Sequence, residues 1–360
     1  FLSVEVATQR RILWVLHWCD GQLLARFSPR HGELARSFGA ALAHLDCNLA
    51  TFTHPVMQVG HHWELMRALE HEPRLSSIQG DAQDLARSAL QLFRSQVEPV
   101  MAELRWGVIH NDANDYNVLV DVQNGSPSVC GLFDFGDMSY QPVVCDPAIA
   151  LAYLVLDEPD PLRVSCDFLS GYAKVNPLST DDIAILFTLI KARLAVSVAI
   201  SSHRQLEEPN DPYIVISQKP AIKALTLLSA IDERLATARF RQACGLAAAP
   251  HAVQAMQWLQ DQQARLAPVV VHRDDFHRID LSTGSLLLGA NPDNTELARL
   301  TALVEDDMQA AGVAVAYGCY GEPRGVYESP AFGADTYPTE ERRTEHLGVD
   351  IFCPPGTPVQ

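Results

Sequence analysis

The stretch from Gly107 to Asp137 constrains this chain more than any other. Gly107-Val108-Ile109 is short and apolar. It runs directly into His110-Asn111-Asp112-Ala113-Asn114-Asp115-Tyr116-Asn117, a loop crowded with carboxylates and amides. Val118-Leu119-Val120 leads out, Asn124-Gly125 is a hairpin signal, and Val129 to Phe133 runs into Asp134-Phe135-Gly136-Asp137. Apolar runs this short and this rich in β-branched residues read as strands. The pattern therefore predicts two short strands that set two polar loops side by side.

Phosphoryl transfer gives a physical reason for such a pair of loops. The transferred group is a dispersed anion, so catalysis is mainly positioning and charge neutralisation. A carboxylate must accept the proton, or a hydrogen bond, from the attacking hydroxyl. Magnesium, a hard cation, takes carboxylate and amide oxygens, water and the phosphates themselves. Asp112 suits the first task. Asn117, five residues on, and Asp134, seventeen beyond that, suit the metal. A polar loop capping a hairpin would also use Asp and Asn in its turns, but it would not require Asp115 as well.

The rest of the chain surrounds this centre with helices. Residues 11–18 read as a buried strand, closed by a turn at Asp20-Gly21. Leu34, Phe38, Leu42, Leu45 and Leu49 recur at helical spacing, as do Leu85, Ala89, Phe93, Val97 and Val100. Further helices are expected near 147–156, 181–202 and 221–238. Gly245 to Pro250 reads as a linker. From Pro268 to Gln360 there are 15 Asp and Glu against 6 Arg and no Lys, more than half of the total charge of −17. That segment is rich in Gly/Pro turns and carries one clear helix near 295–311.

Composition excludes several classes. Hydrophobic residues make up 48%, so the chain is not disordered throughout. A net charge of −17 suits neither a nucleic-acid binder nor an anionic membrane surface. No uninterrupted apolar run reaches the ~18 residues that cross a bilayer. The start, Phe1-Leu2-Ser3-Val4-Glu5, is not a signal peptide. Eight scattered cysteines form no C-x-x-C pair, which favours reduced thiols in a cytoplasmic protein over a zinc ribbon. Lysine occurs four times and never before Lys174, so no chemistry that needs a lysine can use the first 173 residues.

The stretch His110 to Asp137 resembles the aminoglycoside phosphotransferase and choline kinase family, small-molecule relatives of the protein kinases. That family carries H-G-D-x-x-x-x-N followed by I-D-F-G-D or a close variant. Here Asn111 stands where glycine is usual, and the second motif reads Leu132-Phe133-Asp134-Phe135-Gly136-Asp137. Cys145-Asp146-Pro147-Ala148 matches the family's downstream Asp-x-Ala helix start. Asn114-Asp115-Tyr116 replaces the usual His-Pro-Gly and is closer to the hydroxylysine-kinase branch, which acts on small amino alcohols.

The resemblance covers about residues 5–240 and implies an α+β fold, a mostly helical protein-kinase-like C-lobe. It implies that Asp112 is the catalytic base and that Asn117 and Asp134 hold magnesium with ATP or GTP. His110 would be a structural member of the loop. Asp146 would buttress the loop or cap its helix. Asp115 and Asp137 would hold the amine of the substrate. The strand 12–18 would be the hinge, its backbone near Leu16 to Trp18 facing the nucleotide base. The family's N-terminal lobe also carries a phosphate-covering loop and a strand lysine. With no lysine before Asp112, the N-lobe is expected to be largely missing, by roughly the first hundred residues of a parent protein, and nucleotide phosphate binding to be crippled in the chain alone.

Near the end, Glu345-His346-Leu347-Gly348-Val349-Asp350 followed by Pro354-Pro355-Gly356-Thr357-Pro358-Val359 resembles the opening of the M23 metallopeptidases. His346 and Asp350 are zinc-competent, but no downstream H-x-H follows, so the expectation is a truncated β-rich segment without bound zinc. The domains are then 1–245 kinase-like, 246–267 a helical linker, and 268–360 the acidic segment. A kinase-like module joined to an M23-like one resembles a three-part architecture whose third module is a class III, PLP-dependent aminotransferase-like lyase. A covalently linked downstream module would follow. The leading expectation is a phosphotransferase acting with a nucleotide on a small amino alcohol. Its rivals are a zinc hydrolase carried by the C-terminal segment and a non-catalytic scaffold.

Overall fold

The computed structural model describes residues 2–6, 9–13, 17–123, 125–208, 218–270, 277–324 and 345–359. Its contacts divide the chain into two units, Phe1–Ala252 and Val253–Gln360.

The first unit opens with β1 (Leu2–Val6) paired antiparallel to β2 (Gln9–Leu13). The strand expected over 11–18 is thus only begun by β2. Residues 14–16, Leu16 among them, lie outside the described residues, and His17 and Trp18 are in irregular chain. A short β3 (Gln22–Leu23) leads to α1 (Glu33–Leu49). Irregular helical turns over Leu65–Ser77 precede α2 (Asp81–Leu92). The helix expected to run on to Val100 gives way to looser and tighter turns through Glu103, because Pro99 offers no N–H to a regular ladder.

Four strands then build the centre: β4 (Trp106–Ile109), β5 (Val118–Gln123), β6 (Ser126–Leu132) and β7 (Ser139–Pro142). β4 pairs with β7, and β5 lies between β3 and β6, all antiparallel. Five helices follow: α3 (Cys145–Leu154), α4 (Pro161–Val175), α5 (Thr180–Glu207), α6 (Gln218–Ser229) and α7 (Glu233–Ala243). The stretch 221–238, expected as one helix, is two. Asp232 accepts from the N–H groups of Arg234 and Leu235 and so starts α7 afresh.

The core of this unit is a helix stack. Leu34, Phe38 and Leu42, at i, i+4 and i+8 of α1, are at most 1% exposed. Burying a side chain such as Phe38 is worth about 1.5–3 kcal/mol. Two glycines set the α1–α4 crossing. A Cβ on Gly39 would sit 2.0 Å from the Phe168 carbonyl oxygen, and one on Gly171 would sit 2.0 Å from that of Arg36. α5 starts with a Ser179/Asp182 capping box and is buried on nearly every face. By length and composition it could cross a membrane, yet 94% of its apolar window is buried inside the protein. The count of uninterrupted apolar residues misses it because Lys191 and Arg193 break the run.

In the second unit α8 (Ala252–Gln262) is followed by β8 (His277–Ile279), α9 (Leu297–Ala311) and β9 (Ala316–Gly318). β10 (Glu322–Pro323) pairs with β11 (Glu345–His346), and β12 (Ile351–Phe352) pairs with β9, whose other neighbour is β8. A small core of Ile279, Leu281, Leu288, Val304, Met308 and Ala316 joins α9 to this sheet.

Candidate active site

β4 delivers the chain into the loop 110–117, and β5 takes it out. β6 delivers it into 134–137, and β7 takes it out. Because β4 pairs with β7 and β5 with β6, both loops emerge at one end of the strands. Two hydrogen bonds tie them together. Phe133 N–H donates to the Asn117 carbonyl at 3.1 Å. The His110 ring meets the Phe133 carbonyl through Nε2 at 3.0 Å. His110 Nδ1 accepts the Asp112 N–H at 3.3 Å, which leaves Nε2 as the donor to the Phe133 carbonyl. His110 is fully buried, with its ring 4.8 Å from that of Phe135.

Asp146 anchors the loop from behind. It is fully buried, and its two oxygens accept the N–H groups of His110 and Asn111, each at 2.9 Å. Of the two roles open to it, buttressing the loop is the one the structure has. The N-cap of α3 is Val144, and no side chain caps it. Deeper still, Tyr172 Oη donates to Asp46 Oδ2 at 2.5 Å. Burial, reinforced by the neighbouring Asp146, pushes the Asp46 carboxyl well above the usual carboxylate range.

Asn111 has a φ of 64°, the left-handed region that favours glycine and that Asn tolerates best among the other residues. Its side chain adds what glycine cannot. Nδ2 donates to the Asp137 carbonyl at 3.0 Å, and Oδ1 accepts from Gln141 Nε2 at 2.8 Å. Asn111 thereby joins the two loops a third time. Asp134 also sits in the left-handed region, with φ 63°.

Asp112, Asn117 and Asp134 all line one cleft of about 400 Å³. Asn117 Nδ2 donates to Asp112 Oδ2 at 2.7 Å and to the Asp112 carbonyl at 2.9 Å. With the amide nitrogen committed, the atom Asn117 has left for a cation is its oxygen. Together with the Asp134 carboxylate it makes an all-oxygen donor set, which fits magnesium. Burial raises the pKa of Asp112, and the Arg193 guanidinium opposes that rise.

The two carboxylates read as amine holders are placed differently. Asp115 is buried, and its Oδ2 lies 3.1 Å from Arg30 Nη2. Asp115 thus lines the cleft with a cation already beside it. Burial raises its pKa, with Arg30 opposing. Asp137 is part-exposed, lines the cleft and meets His61 Nε2 at 3.0 Å. Asp157, which no motif marked, lines the same cleft.

Sequence reasoning also missed Arg193. It lies mid-helix in an apolar run, 2% exposed, with Cζ 5.0 Å from the Trp63 ring and 5.5 Å from that of Tyr153. The one signal available was a charge inside an otherwise apolar helix.

Outside the cleft, Trp18 is 88% exposed, its indole N–H on Asp20 at 3.0 Å. In the second unit Asp350 is engaged by Arg324, Nη1 to Oδ2 at 2.6 Å, and His346 Nε2 lies 3.3 Å from its other oxygen. Among the described residues no three His, Cys, Asp or Glu side chains converge as a metal-holding group.

Residues 7–177 match the family model described as phosphotransferase enzyme family (APH). The chain is 28% identical to hydroxylysine kinase of Mus musculus over 225 residues, 59% of this chain and 60% of that protein. To the hydroxylysine kinase of Danio rerio it is 26% identical over 230 residues, 61% and 64% of the two chains. It thus spans about 60% of the length of such curated relatives. Among solved structures it is similar to a microcompartment-associated aminopropanol kinase, at 21% identity and TM-score 0.41, over 60% of this chain and 64% of that one. An aminoglycoside phosphotransferase from Alicyclobacillus acidocaldarius aligns at 17% identity and TM-score 0.46, over 68% and 74%.

Proposed function

We propose that the first unit is a phosphotransferase that moves the terminal phosphoryl group of ATP or GTP to the hydroxyl of a small amine-bearing alcohol of the hydroxylysine or amino-alcohol type. The similarity to hydroxylysine kinases and to the phosphotransferase enzyme family supports the reaction class. One observation carries the site. A single carboxylate, Asp112, is held by Asn117 and opens on the same cleft as Asp134.

We assign each role from position. Asp112, partly withdrawn from water, accepts the acceptor's hydroxyl proton as the oxygen attacks phosphorus. Asn117 Oδ1 and Asp134 hold magnesium, which when bound neutralises the phosphate oxygens. Asp137, with Asp157 on the same cleft, attracts the ammonium group. Asp146 and His110 keep the loop in register.

The test is direct. The purified chain is mixed with magnesium, ATP or GTP, and hydroxylysine, ethanolamine or 1-amino-2-propanol, and the phosphate ester is followed by phosphorus NMR. An ester with one of these amines, lost in Asp112→Asn and Asp134→Ala, is the expected result. Nucleotide left intact with every acceptor sinks the reading.

A further inference from the structure

Two arginines line the cleft, and they are held in different ways. Arg30 has four of its five N–H donors engaged. Its Nε reaches the Phe27 carbonyl at 3.3 Å, Nη1 that of Tyr153 at 3.2 Å, and Nη2 that of Ala25 at 3.4 Å and Asp115 at 3.1 Å. Those bonds fix the chain and leave Arg30 a single N–H to offer a ligand.

Arg193 is as deeply buried, but its donors are not used up. Nη1 donates to the Trp63 carbonyl at 2.8 Å. Nη2 lies 3.5 Å from Asp112 Oδ1, longer than a direct charge-assisted hydrogen bond. Nε is buried without any hydrogen-bond partner. The Trp63 and Tyr153 rings beside it hold the guanidinium plane in place. A buried cation with spare donors is costly to keep, and the cost is relieved when an anion arrives. Asp112 alone does not relieve it, because its other oxygen is taken by Asn117.

We infer that Arg193 is the oxyanion-binding residue of this cleft, receiving a phosphoryl or carboxylate group of the bound reactants beside Asp112. The inference rests on the phosphotransferase reading and deepens it. Two oxyanions come within reach of a cation 3.5 Å from the proposed base: the phosphoryl group in transit, or a carboxylate carried by the acceptor. The fork of a guanidinium matches either one with two parallel donors.

Binding measured without turnover separates this inference from the phosphotransferase reading. Calorimetric titrations of the full chain use three amines: O-phosphoethanolamine, 4-aminobutyrate and ethanolamine. The expected result is that wild type prefers at least one anionic amine to ethanolamine by tenfold or more. Arg193→Met should abolish that preference. Loss confined to O-phosphoethanolamine assigns the phosphoryl group, and loss confined to 4-aminobutyrate assigns the acceptor's carboxylate. If Arg193→Met does not fold, judged by circular dichroism, Arg193→Lys decides. It keeps the charge but lacks the fork, and a several-fold loss for the preferred anion is expected. No preference in wild type, or one that both variants keep, overturns the inference. A chain that shows the preference but makes no phosphate ester would leave Arg193 as proposed and refute the phosphotransferase reading instead.

Discussion

Asn117 Nδ2 donates to both the carboxylate and the carbonyl of Asp112, at 2.7 and 2.9 Å. One amide thus fixes the side chain and the backbone of the residue proposed as base, and turns its own oxygen toward other work. The two positions should fail differently. Asp112→Asn removes the proton acceptor and leaves the shape, so the rate of phosphate-ester formation should fall by roughly 10²–10⁴-fold. Asn117→Ala frees the Asp112 carboxylate and removes a metal oxygen, so it should also raise the magnesium concentration needed for half-maximal rate. Magnesium titration of both variants checks this. An unchanged magnesium requirement in Asn117→Ala would remove Asn117 from the metal set.

Asp146 should matter to stability more than its distance from the cleft suggests. Its carboxylate is the partner of two buried N–H groups, those of His110 and Asn111. Asp146→Ala orphans both, at a cost on the order of 3 kcal/mol. The urea midpoint of the first unit, followed by far-ultraviolet circular dichroism, should drop accordingly. A midpoint within error of wild type would mean that water replaces the carboxylate.

How much of this was legible beforehand differs between the centre and its surroundings. The strands around the two loops, α1, α3, α5 and the positions of Asp112, Asn117 and Asp134 could be read, because hydrophobic period and turn chemistry are local. Arg193 and Trp63 could not be, since what brings them together is the packing of α5 against the turns over Leu65–Ser77 and the Trp63 just before them, which no local pattern encodes. Asp115 gave no sign of its ion pair for the same reason. Its neighbour Arg30 is 85 residues away in sequence, and a charge count along the chain cannot pair them. The break between α6 and α7 was visible in principle at Asp232, a good N-cap inside a helical period.

Asp46 should make the first unit's stability depend on pH. Its folded pKa is raised by burial and by Asp146, with the Tyr172 hydroxyl and Arg105 pulling the other way. The contribution is complete below the ordinary Asp pKa, about 4, where folded and unfolded chains both hold the proton. As pH rises toward the raised value, the unfolded chain releases its proton first and that stability is lost. Asp46→Asn resembles the protonated acid and cannot titrate. Its melting temperature relative to wild type should therefore climb by a few degrees between pH 4 and pH 8. An offset that stays constant across that range contradicts a raised Asp46.

The two carboxylates first read as amine holders should separate cleanly. Asp115 is buried against Arg30, so Asp115→Ala leaves an uncompensated cation and should cost about 3–5 kcal/mol, seen as a lower urea midpoint. Asp137 is part-exposed on the cleft and its carboxylate pairs with His61, so Asp137→Asn should leave the stability within about 0.5 kcal/mol of wild type. Its effect should fall on the acceptor, raising KM for a cationic amine by roughly tenfold while kcat changes less, as expected for lost binding common to ground and transition state. An uncharged hydroxylated acceptor should not register the change. If Asp137→Asn instead lowers kcat and leaves KM alone, the carboxylate acts on the reacting groups. The amine must then be held elsewhere, with Asp157 on the same cleft the next position to test.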